Sequence, residues 1–397
     1  MARINEDAAT LSAIGRVCGL CVLLSLAAFW FRPVVADAQE VPSQTNWLQY
    51  RFDAQHNGVN PFETILSPTT VGGLTLKWTF TANAGFYGSP TVVNGVMYVG
   101  SDDFNFYALN ASTGKQLWAY TTGGVARSSA AVVNGVVYFG SDDLHLYAAN
   151  AKTGANVWTF TAGDGFYSSP NVVNGIVYAG SEDNNVYAVN ATTGAKVWSF
   201  ATGNSVKYSS PAVVNGVVYI GSWDHNLYAL NAATGAKIWS FPTGSMIESS
   251  PAVVNGVVYF GSRDGNLYAL KAATGKQLWS FTTGGNVLSS PAVENGVVYF
   301  GSDDFNVYAL NATTGEKIWS FKTGKYVHSS PAIANGVLYV GSYDSNVYAL
   351  DASTGAKLWS YATNKSVLSA PAVVNGVVYA PSEDLSVYTF DLPGGEN

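Results

Sequence analysis

The stretch Ala309-Leu310-Asn311-Ala312-Thr313-Thr314-Gly315-Glu316-Lys317-Ile318-Trp319 decides the fold, because near copies of it recur along the chain. The copies end at tryptophans that are 40 or 41 residues apart, and a shorter related piece, Leu74 to Trp78, precedes them. A fixed period of this length indicates one supersecondary unit that repeats and stacks on itself. We therefore expect these indoles to fasten neighbouring units together. They belong to Trp78, Trp118, Trp158, Trp198, Trp239, Trp279, Trp319 and Trp359.

Each unit contains four short β-rich runs separated by three turn signals. The first signal is Asn-Gly, as at Asn295-Gly296, which occurs in all eight units and is typical of a type I′ hairpin. The second is Ser-x-Asp-x-Asn, in which we expect the aspartate, such as Asp304, to cap its own turn. The third is Asn-Ala-Thr-Thr-Gly. Four antiparallel strands in about 40 residues predict one propeller blade.

The ends of the array predict how the ring closes. The last unit, from Pro371, supplies three strands and then stops, whereas the orphan piece over residues 74–80 is a fourth strand without its first three. We therefore predict an all-β, eight-bladed β-propeller whose N-terminal strand completes the last blade. The predicted organisation is a secretory signal over 1–38, a polar lead-in over 39–73, the propeller over 74–392 and a tail over 393–397. The lead-in is expected to be irregular, or a short strand laid against the array.

The N-terminal segment has the features of an export signal. An apolar run from Val17 to Phe31 is flanked by Arg16 and Arg32, and Ala36-Asp37-Ala38 offers small residues for cleavage after Ala38. The run is shorter than the roughly 20 residues that a membrane span needs. We expect a periplasmic or extracellular protein without a stable membrane span after cleavage. An uncleaved membrane anchor is the alternative.

Composition excludes several classes of function. The net charge is −7 and no basic stripe is present, which argues against a nucleic-acid partner. The two cysteines, Cys18 and Cys21, both precede the array, so the remainder cannot use thiolate metal sites or cysteine nucleophiles. The four histidines show no metal-ligand spacing. We predict no metal site and no catalytic residue.

The eleven-residue unit resembles the tryptophan-docking motif A-x-D-x-x-T-G-x-x-x-W of the pyrroloquinoline quinone (PQQ) repeat family. The copy with Asp351 matches the motif fully, whereas Asn or Lys271 replaces the aspartate in the other copies. The resemblance implies an eight-bladed propeller and two functional classes. One comprises quinoprotein dehydrogenases, which bind PQQ and Ca²⁺ at the channel mouth. The other comprises non-catalytic binding propellers such as the periplasmic β-barrel assembly scaffold.

This sequence departs from the dehydrogenase class at the points that matter for catalysis. The resemblance implies an adjacent cysteine pair beneath the cofactor and long inserted loops that carry the Ca²⁺ ligands and the catalytic aspartate. The array has neither, since its units differ in length by a single residue. No catalytic residue of the class can therefore be carried over onto this chain.

Two positions of the unit vary between copies while the rest hardly changes. One lies just before Ser-Ser-Pro, and the other surrounds the repeated aspartate. Strand order places both on one face of the ring, around the channel, and variable loops on a rigid scaffold often carry binding residues. Neutral drift at exposed loops is the alternative explanation. The predicted binding residues, of types that often anchor interfaces, are Tyr87, Arg127, Tyr167, Tyr208, Glu248, His328, Trp223, His225, Phe104, Arg263, Phe305 and Tyr343.

These observations favour an exported, non-catalytic PQQ-like repeat propeller that acts as a binding or assembly scaffold through this face. No cofactor is expected, and the partner is a protein or a small molecule of unspecified identity. The chain is expected to be a monomer. The alternative is a quinoprotein oxidoreductase that holds PQQ and Ca²⁺ at the same face. A third hypothesis is a recently duplicated, unspecialised array, because the copies are so nearly identical.

Overall fold

The Asn-Gly turns fold each unit into a hairpin. In the computed structural model, which describes residues 46–394, the Asn and the Gly of all eight turns have positive φ, as in Asn295 at 49° and Gly296 at 77°. Both central positions of a type I′ turn require this conformation. The predicted signal over 1–38, the first part of the lead-in and residues 395–397 lie outside the described range.

Two strands and a 3₁₀ helix precede the regular units. They are β1 (Val59–Asn60), the 3₁₀ helix Val71–Gly73 and β2 (Thr75–Thr81). Blade 1 then contains β3 (Thr91–Val93), β4 (Val96–Gly100), β5 (Asn105–Asn110) and β6 (Gln116–Thr121). Blade 2 contains β7 (Ala131–Val133), β8 (Val136–Gly140), β9 (His145–Asn150) and β10 (Asn156–Thr161). Blade 3 contains β11 (Asn171–Val173), β12 (Ile176–Gly180), β13 (Asn185–Asn190) and β14 (Lys196–Ala201).

The remaining blades repeat this order. Blade 4 contains β15 (Ala212–Val214), β16 (Val217–Gly221), β17 (Asn226–Asn231) and β18 (Lys237–Pro242). Blade 5 contains β19 (Ala252–Val254), β20 (Val257–Gly261), β21 (Asn266–Lys271) and β22 (Gln277–Thr282). Blade 6 contains β23 (Ala292–Glu294), β24 (Val297–Gly301), β25 (Asn306–Asn311) and β26 (Lys317–Lys322). Blade 7 contains β27 (Ala332–Ala334), β28 (Val337–Gly341), β29 (Asn346–Asp351) and β30 (Lys357–Ala362).

Blade 8 is built from both ends of the array. It contains β31 (Ala372–Val374), β32 (Val377–Pro381) and β33 (Ser386–Asp391), and its outer strand is β2. β2 runs antiparallel to β33, with Thr75 opposite Asp391 and Thr81 opposite Ser386. The predicted fold class and the closure by the N-terminal strand are confirmed, with the strand at Thr75–Thr81 rather than 74–80. Closure leaves no blade without its fourth strand.

The second strand of each blade lies between two neighbouring blades. In β24, every residue from Val298 to Gly301 is buried, although the run is apolar without alternation. The strand is therefore covered on both faces, as in stacked sheets. The core is accordingly distributed as a set of clusters between blades. One cluster joins Tyr299 and Val307 of blade 6 to Leu338 and Leu350 of blade 7.

Each repeat tryptophan contacts the following blade in two ways. Trp279 Nε1 donates a hydrogen bond to the carbonyl oxygen of Ala312, 3.0 Å away. Its ring also lies against Gly315, where an added Cβ would come within 2.7 Å of the indole and where φ is +75°. Glycine is therefore required both by the backbone conformation and by the ring above it. The equivalent hydrogen bonds are Trp78 to Ala111, Trp118 to Ala151, Trp158 to Ala191, Trp198 to Ala232, Trp239 to Ala272, Trp319 to Ala352 and Trp359 to Leu74.

The repeated aspartate caps its own turn and also joins two blades. Asp304 Oδ1 accepts the amide N–H of Asn306, as expected. Its Oδ2 accepts the hydroxyl of Tyr308 at 2.6 Å and the amide N–H of Gly284, in the loop that leaves the preceding blade, at 2.9 Å. Burial alone would raise the pKa of Asp304, but these hydrogen bonds bring it below its ordinary value.

The described part of the lead-in runs inside the channel. We call residues 47–60 the channel thread. It passes the innermost strand of every blade in turn and forms at least one hydrogen bond with each, most often through a thread carbonyl and a strand amide. The contacts, in blade order, pair Trp47 with Val92, Leu48 with Val132, Gln49 with Val172, Ala54 with Val213, Gln55 with Val253, Asn57 with Val293, Gly58 with Ile333 and Asn60 with Val373.

The thread ends as β1, which pairs in parallel with β27 of blade 7. The chain then leaves the channel on the side of the Asn-Gly turns, where Glu63 Oε2 accepts the amide N–H of Gly376. Asn335 Nδ2 donates to the carbonyl of Leu66 on the same side. From there the 3₁₀ helix leads to β2 at the rim. Residues 46–394 contain no helix with the length and apolarity that a membrane crossing requires.

Candidate functional site at the channel mouth

A polar cavity of about 140 Å³ opens at the end of the channel opposite the Asn-Gly turns. The residue that precedes the repeated serines points into it from every blade, so the first varied position forms a closed ring around the opening. Beneath this ring lie serine side chains, and the floor is Tyr50 of the channel thread. The ring residues are Tyr87, Arg127, Tyr167, Tyr208, Glu248, Leu288, His328 and Leu368.

The serines beneath the ring form a circular belt of hydrogen bonds. At seven of the eight equivalent positions, the backbone N–H donates to the hydroxyl of the corresponding serine in the next blade, over 2.8–2.9 Å. Blade 8 carries Ala370 at this position, so the amide of Ser330 has no hydroxyl to bind there. The belt therefore has seven links and one gap, between blades 7 and 8. Its members are Ser89, Ser129, Ser169, Ser210, Ser250, Ser290, Ser330 and Ala370.

Tyr50 closes the cavity from below. Its hydroxyl lies 3.1 Å from Ser290 Oγ and 3.5 Å from Ser330 Oγ, next to the gap in the belt. The ring of Tyr50 packs edge-on against His56, 5.5 Å between centroids. Comparison of the repeats could not have identified this residue, because the thread has no counterpart among the copies.

Arg127 holds one side of the mouth. Its Nε lies 2.8 Å from Asp102 Oδ1, and a second nitrogen of the guanidinium binds Asp102 Oδ2, so the pair is bidentate. The hydrogen bond to Asp102 raises the pKa of Arg127 above its ordinary value. The guanidinium also stacks on Tyr87, 4.2 Å from its centroid. Burial, with a hydrogen bond to Glu383, raises the pKa of Tyr87 to about 12.

Lys207 occupies a cage of aromatic rings beside Arg127. Its Nζ lies 2.9 Å from Glu182 Oε2 and 4.5 Å, 5.6 Å and 5.7 Å from the ring centroids of Tyr167, Tyr208 and Trp223. Burial raises the pKa of Glu182, against the opposing effect of Lys207. We call Glu182, Tyr167, Tyr208 and Trp223 the ammonium cage.

Lys207 is not among the binding residues predicted from the sequence, although the chain carries a signal for it. The tryptophans Trp198 and Trp239 are 41 residues apart, whereas all other neighbours are 40 apart. The amide N–H of Val206 donates to the carbonyl oxygen of Ser181, and the amide N–H of Ile247 makes the equivalent bond to Ser222 in the next unit. Two residues lie between Val206 and the serines that follow it, whereas only one lies between Ile247 and its serines. The one irregularity in unit length therefore falls at the mouth and places both Lys207 and Tyr208 there.

The opposite side of the mouth is built around carboxylates. Glu248 is buried, and its Oε1 lies 2.8 Å from a guanidinium nitrogen of Arg263. Burial raises the pKa of Glu248, and Arg263 opposes the rise. His328 Nε2 lies 2.6 Å from Asp303 Oδ1, and its ring packs edge-on against Tyr343 at 4.6 Å. Charged groups here are held in pairs rather than left free.

The structure separates the twelve predicted binding residues into three groups. Six belong to the first varied position and line the cavity: Tyr87, Arg127, Tyr167, Tyr208, Glu248 and His328. Trp223, Arg263 and Tyr343 come from the second turn and contact cavity-lining residues. Phe104, His225 and Phe305 do not reach the cavity. They occupy the left-handed position of the second turn, with φ of 68°, 72° and 76°.

The residues of the mouth fit PQQ and Ca²⁺ poorly. Within residues 46–394, no group of three His, Cys, Asp or Glu side chains is placed to hold a metal ion. The cavity of about 140 Å³ is smaller than the roughly 300 Å³ at which cofactor sites usually begin. Both cations nearest the opening, Arg127 and Lys207, are already paired with carboxylates. An anionic quinone would have to displace those pairs.

Comparison with known proteins identifies the family. The family model described as "Outer membrane protein assembly factor BamB" matches residues 69–133, 121–250, 223–328 and 303–397. No curated protein matches the chain.

Solved structures share the fold at low sequence identity. The quinohemoprotein alcohol dehydrogenase ADHIIG from Pseudomonas putida HK5 is 19% identical with a TM-score of 0.76, over 89% of this chain and 81% of that one. BamB from Moraxella catarrhalis is 22% identical with a TM-score of 0.71, over 80% and 99%. The computationally designed protein Ika8 is 17% identical with a TM-score of 0.71, over 78% and 97%.

The likenesses to solved structures extend to an enzyme, an assembly factor and a design, and at these identities they establish the fold alone. The family model reaches further, because its matches span the array from β2 to the last strand of blade 8. On this ground the chain belongs to the PQQ-like repeat propeller family whose model is described as outer membrane protein assembly factor BamB.

Proposed function

We propose that this protein is a non-catalytic binding scaffold of the cell envelope, which holds a protein partner at the channel mouth. The observation that carries the proposal is the mouth itself. Eight side chains of five residue types surround one opening, and the blades behind them are linked by hydrogen bonds at the serine belt, the aspartate and the tryptophan. A rigid frame with varied aromatic and charged side chains suits recognition.

Two further points support a scaffold over a catalyst. The cations at the mouth, Arg127, Lys207 and Arg263, are each paired with a carboxylate of the chain. The side chains at the mouth also fit PQQ and Ca²⁺ poorly, because no three of the described His, Cys, Asp or Glu side chains are placed to hold a metal ion. The family description and the likeness to BamB from Moraxella catarrhalis agree with a role in assembly.

The alternative is a quinoprotein oxidoreductase. It is favoured by the likeness to the alcohol dehydrogenase from Pseudomonas putida HK5, which spans most of both chains. Bound PQQ would supply the redox chemistry in that case, and Arg127 and Lys207 are the cations that could contact it at the mouth.

A spectroscopic titration separates the two functions. The purified protein is incubated with PQQ and Ca²⁺, and its absorption spectrum and dye-linked oxidation of alcohols and sugars are measured. We expect neither stoichiometric binding nor turnover. Stoichiometric binding of PQQ with turnover would reverse the order of the two functions.

Partner binding is tested by crosslinking in the native host. Tyr167→Ala/Trp223→Ala is expected to lose a crosslinked partner that the wild type retains. Lys152→Ala, an exposed change on the Asn-Ala-Lys-Thr-Gly turn of the opposite face, is the matched control and should retain it. Equal crosslinking by both variants would move the binding surface away from the mouth.

Export is part of the proposal and has its own test. Fractionation of the native host followed by N-terminal sequencing should yield an envelope protein that begins at Gln39. A protein that retains residues 1–38 and pellets with the membranes would favour the anchored form.

A further inference from the structure

The ammonium cage resembles a recognition site that is filled by the chain itself. A cation surrounded by three aromatic faces and a carboxylate is the arrangement by which proteins bind ammonium and guanidinium groups. Here the cation is Lys207, with three rings within 6 Å and Glu182 at 2.9 Å. The Lys207 side chain is 20% exposed, so it reaches the cage from the rim of the cavity.

The cage is more than a local packing solution for one lysine. Tyr167 and Tyr208 both line the open cavity, and their rings meet edge to face at 5.6 Å. Two polar atoms of the cage, Trp223 Nε1 and Glu182 Oε1, are buried and have no hydrogen-bond partner within residues 46–394. A guest with several donors could bind the free Glu182 oxygen, which a single ammonium leaves unused.

The charge around the cage also favours a cation. Burial and the negative charge of Asp142 raise the pKa of Tyr167, burial and the negative charge of Glu383 raise the pKa of Tyr87, and neither carboxylate forms an ion pair with a cation in the described range. Asp303 is paired only with His328, which carries a charge only when protonated. The fixed cations of the mouth, Arg127, Lys207 and Arg263, are each matched by one carboxylate. The surplus at the mouth is therefore negative.

The position of the cage within the repeat also supports a binding site at the mouth. The 41-residue spacing from Trp198 to Trp239 is the one departure from the period, and it brings Lys207 and Tyr208 together at the mouth. Trp223 follows in the second turn of the same blade. Three of the residues that build and fill the cage thus come from blade 4 and the loop that leads into it.

We propose that the ammonium cage is a binding site for organic cations, in which Lys207 is a resident guest that an incoming lysine, arginine or polyamine group displaces. The proposal rests on the proposed binding function of this face and specifies its chemistry. Displaced Lys207 moves to solvent, and the guest takes its place against Tyr167, Tyr208, Trp223 and Glu182. Because these faces are already ordered around a cation, the guest meets a preorganised site.

Removing the resident guest is the sharpest test. Calorimetric titrations with hexalysine and with spermidine are compared for the wild type, Lys207→Ala and Lys325→Ala. Lys325 lies in the equivalent loop of a later blade, is exposed, and forms neither an ion pair nor a cation–π contact in the described chain. Both variants remove one positive charge from the same face, but only the first vacates the cage.

We expect Lys207→Ala to bind the cations at least about tenfold more tightly than Lys325→Ala, since vacating the cage adds the cation–π contacts to the effect of charge. Equal affinities in the two variants would overturn the proposal, as would a failure of Lys207→Ala to bind either cation. Tightening with both probes indicates a site for free cations as well as peptides. Tightening with hexalysine alone indicates a peptide partner.

A second variant guards against indirect effects. Lys207→Ala/Trp223→Ala should lose the gain in affinity, while its near-ultraviolet circular dichroism and melting temperature stay close to those of Lys207→Ala. Retention of the gain would show that the cation binds elsewhere. If crosslinking to a partner still depends on Trp223 while no cation binds, the cation proposal fails alone. If cations bind but no partner depends on the mouth, the scaffold function fails alone.

Discussion

Trp359 Nε1 donates a hydrogen bond to the carbonyl oxygen of Leu74 over 3.1 Å, although 285 residues separate the two in sequence. In the other blades the acceptor is an alanine of the following unit, as with Trp319 and Ala352. In blade 8 no turn joins the third strand β33 to the fourth strand β2, and Leu74, the residue before β2, supplies the acceptor. Ring closure therefore repeats the contact that joins every other pair of blades.

We predict that deletion of Thr75–Thr81 lowers the melting temperature and broadens the transition. The deletion exposes the edge of β33 and removes the partly buried Trp78; full burial of a large apolar side chain contributes roughly 1.5–3 kcal/mol to the free energy of unfolding. Differential scanning calorimetry measures both effects. Thr75→Ala, which keeps the strand, is the control. An unchanged transition in the deletion variant would disprove closure by this strand.

The contact between indole and glycine can be isolated with two substitutions of equal backbone strain. Gly194 and Gly175 both have φ of +72°, but a Cβ at Gly194 would lie 2.9 Å from the Trp158 ring, whereas a Cβ at Gly175 would meet nothing within 4 Å. We expect Gly194→Ala to cost about 1–3 kcal/mol more than Gly175→Ala, the usual cost of overpacking. Urea unfolding measures the difference. Equal losses would mean that the indole moves aside freely.

The gap in the serine belt offers a stabilising substitution. Ala370→Ser should give the amide of Ser330 the acceptor that its counterparts have, and add about 0.5–1.5 kcal/mol to the free energy of unfolding. In the opposite direction, Ser250→Ala leaves the buried amide of Ser210 without its partner and should cost about 1–3 kcal/mol. Chemical denaturation of both variants tests the pair. Destabilisation by Ala370→Ser would show that the gap serves another purpose.

The channel thread should make stability depend on acidity. Burial, reinforced by the charge of Arg51, lowers the pKa of His56 to about 3, whereas an unfolded histidine titrates near 6.5. The unfolded chain therefore binds the proton first, and stability present above pH 6.5 is lost as the pH falls towards 3. At pH 5 the loss is about 2 kcal/mol, from 1.36 kcal/mol for each pH unit.

His56→Gln removes this titration. We expect its stability relative to the wild type to improve by about 2 kcal/mol between pH 8 and pH 5, measured by urea unfolding at both values. Asp53 acts in the opposite direction, because burial raises its pKa to about 6 and its contribution is lost as the pH rises through that value. It is present in both proteins and cancels in the comparison. A parallel decline of the two proteins would show that His56 is not buried in the neutral form.

The fold could be predicted from the sequence because its determinants are local and repeated. Asn-Gly turns require positive φ and therefore form hairpins wherever they occur, and eight copies make the pattern unmistakable. The missing outer strand of the last unit was visible for the same reason. The path of the channel thread was not predictable. It is joined to the inner strands mainly by backbone hydrogen bonds, such as that between Val213 and Ala54, which leave no pattern of side chains.

The mouth could be predicted only in outline. Strand order determines which turns share a face, and the residues of the first varied position line the opening. Which groups pair there depends on side-chain reach, as for Arg127 with Asp102 and Lys207 with Glu182. The second varied position was only partly informative. Phe104 occupies the left-handed residue of its turn and does not line the cavity.

The channel thread has a consequence for how nearly identical blades find their places. Copies this similar could exchange partners, slip by one unit or swap between chains during folding, since each inner strand would accept almost any neighbour. The thread is aperiodic and touches the blades in order, beginning with Trp47 at Val92 and ending with Asn60 at Val373. The order of these contacts thus assigns each of the nearly identical blades a fixed position around the ring. In a chain with one blade more or fewer, the residues of the thread would no longer align with the inner strands that they contact here.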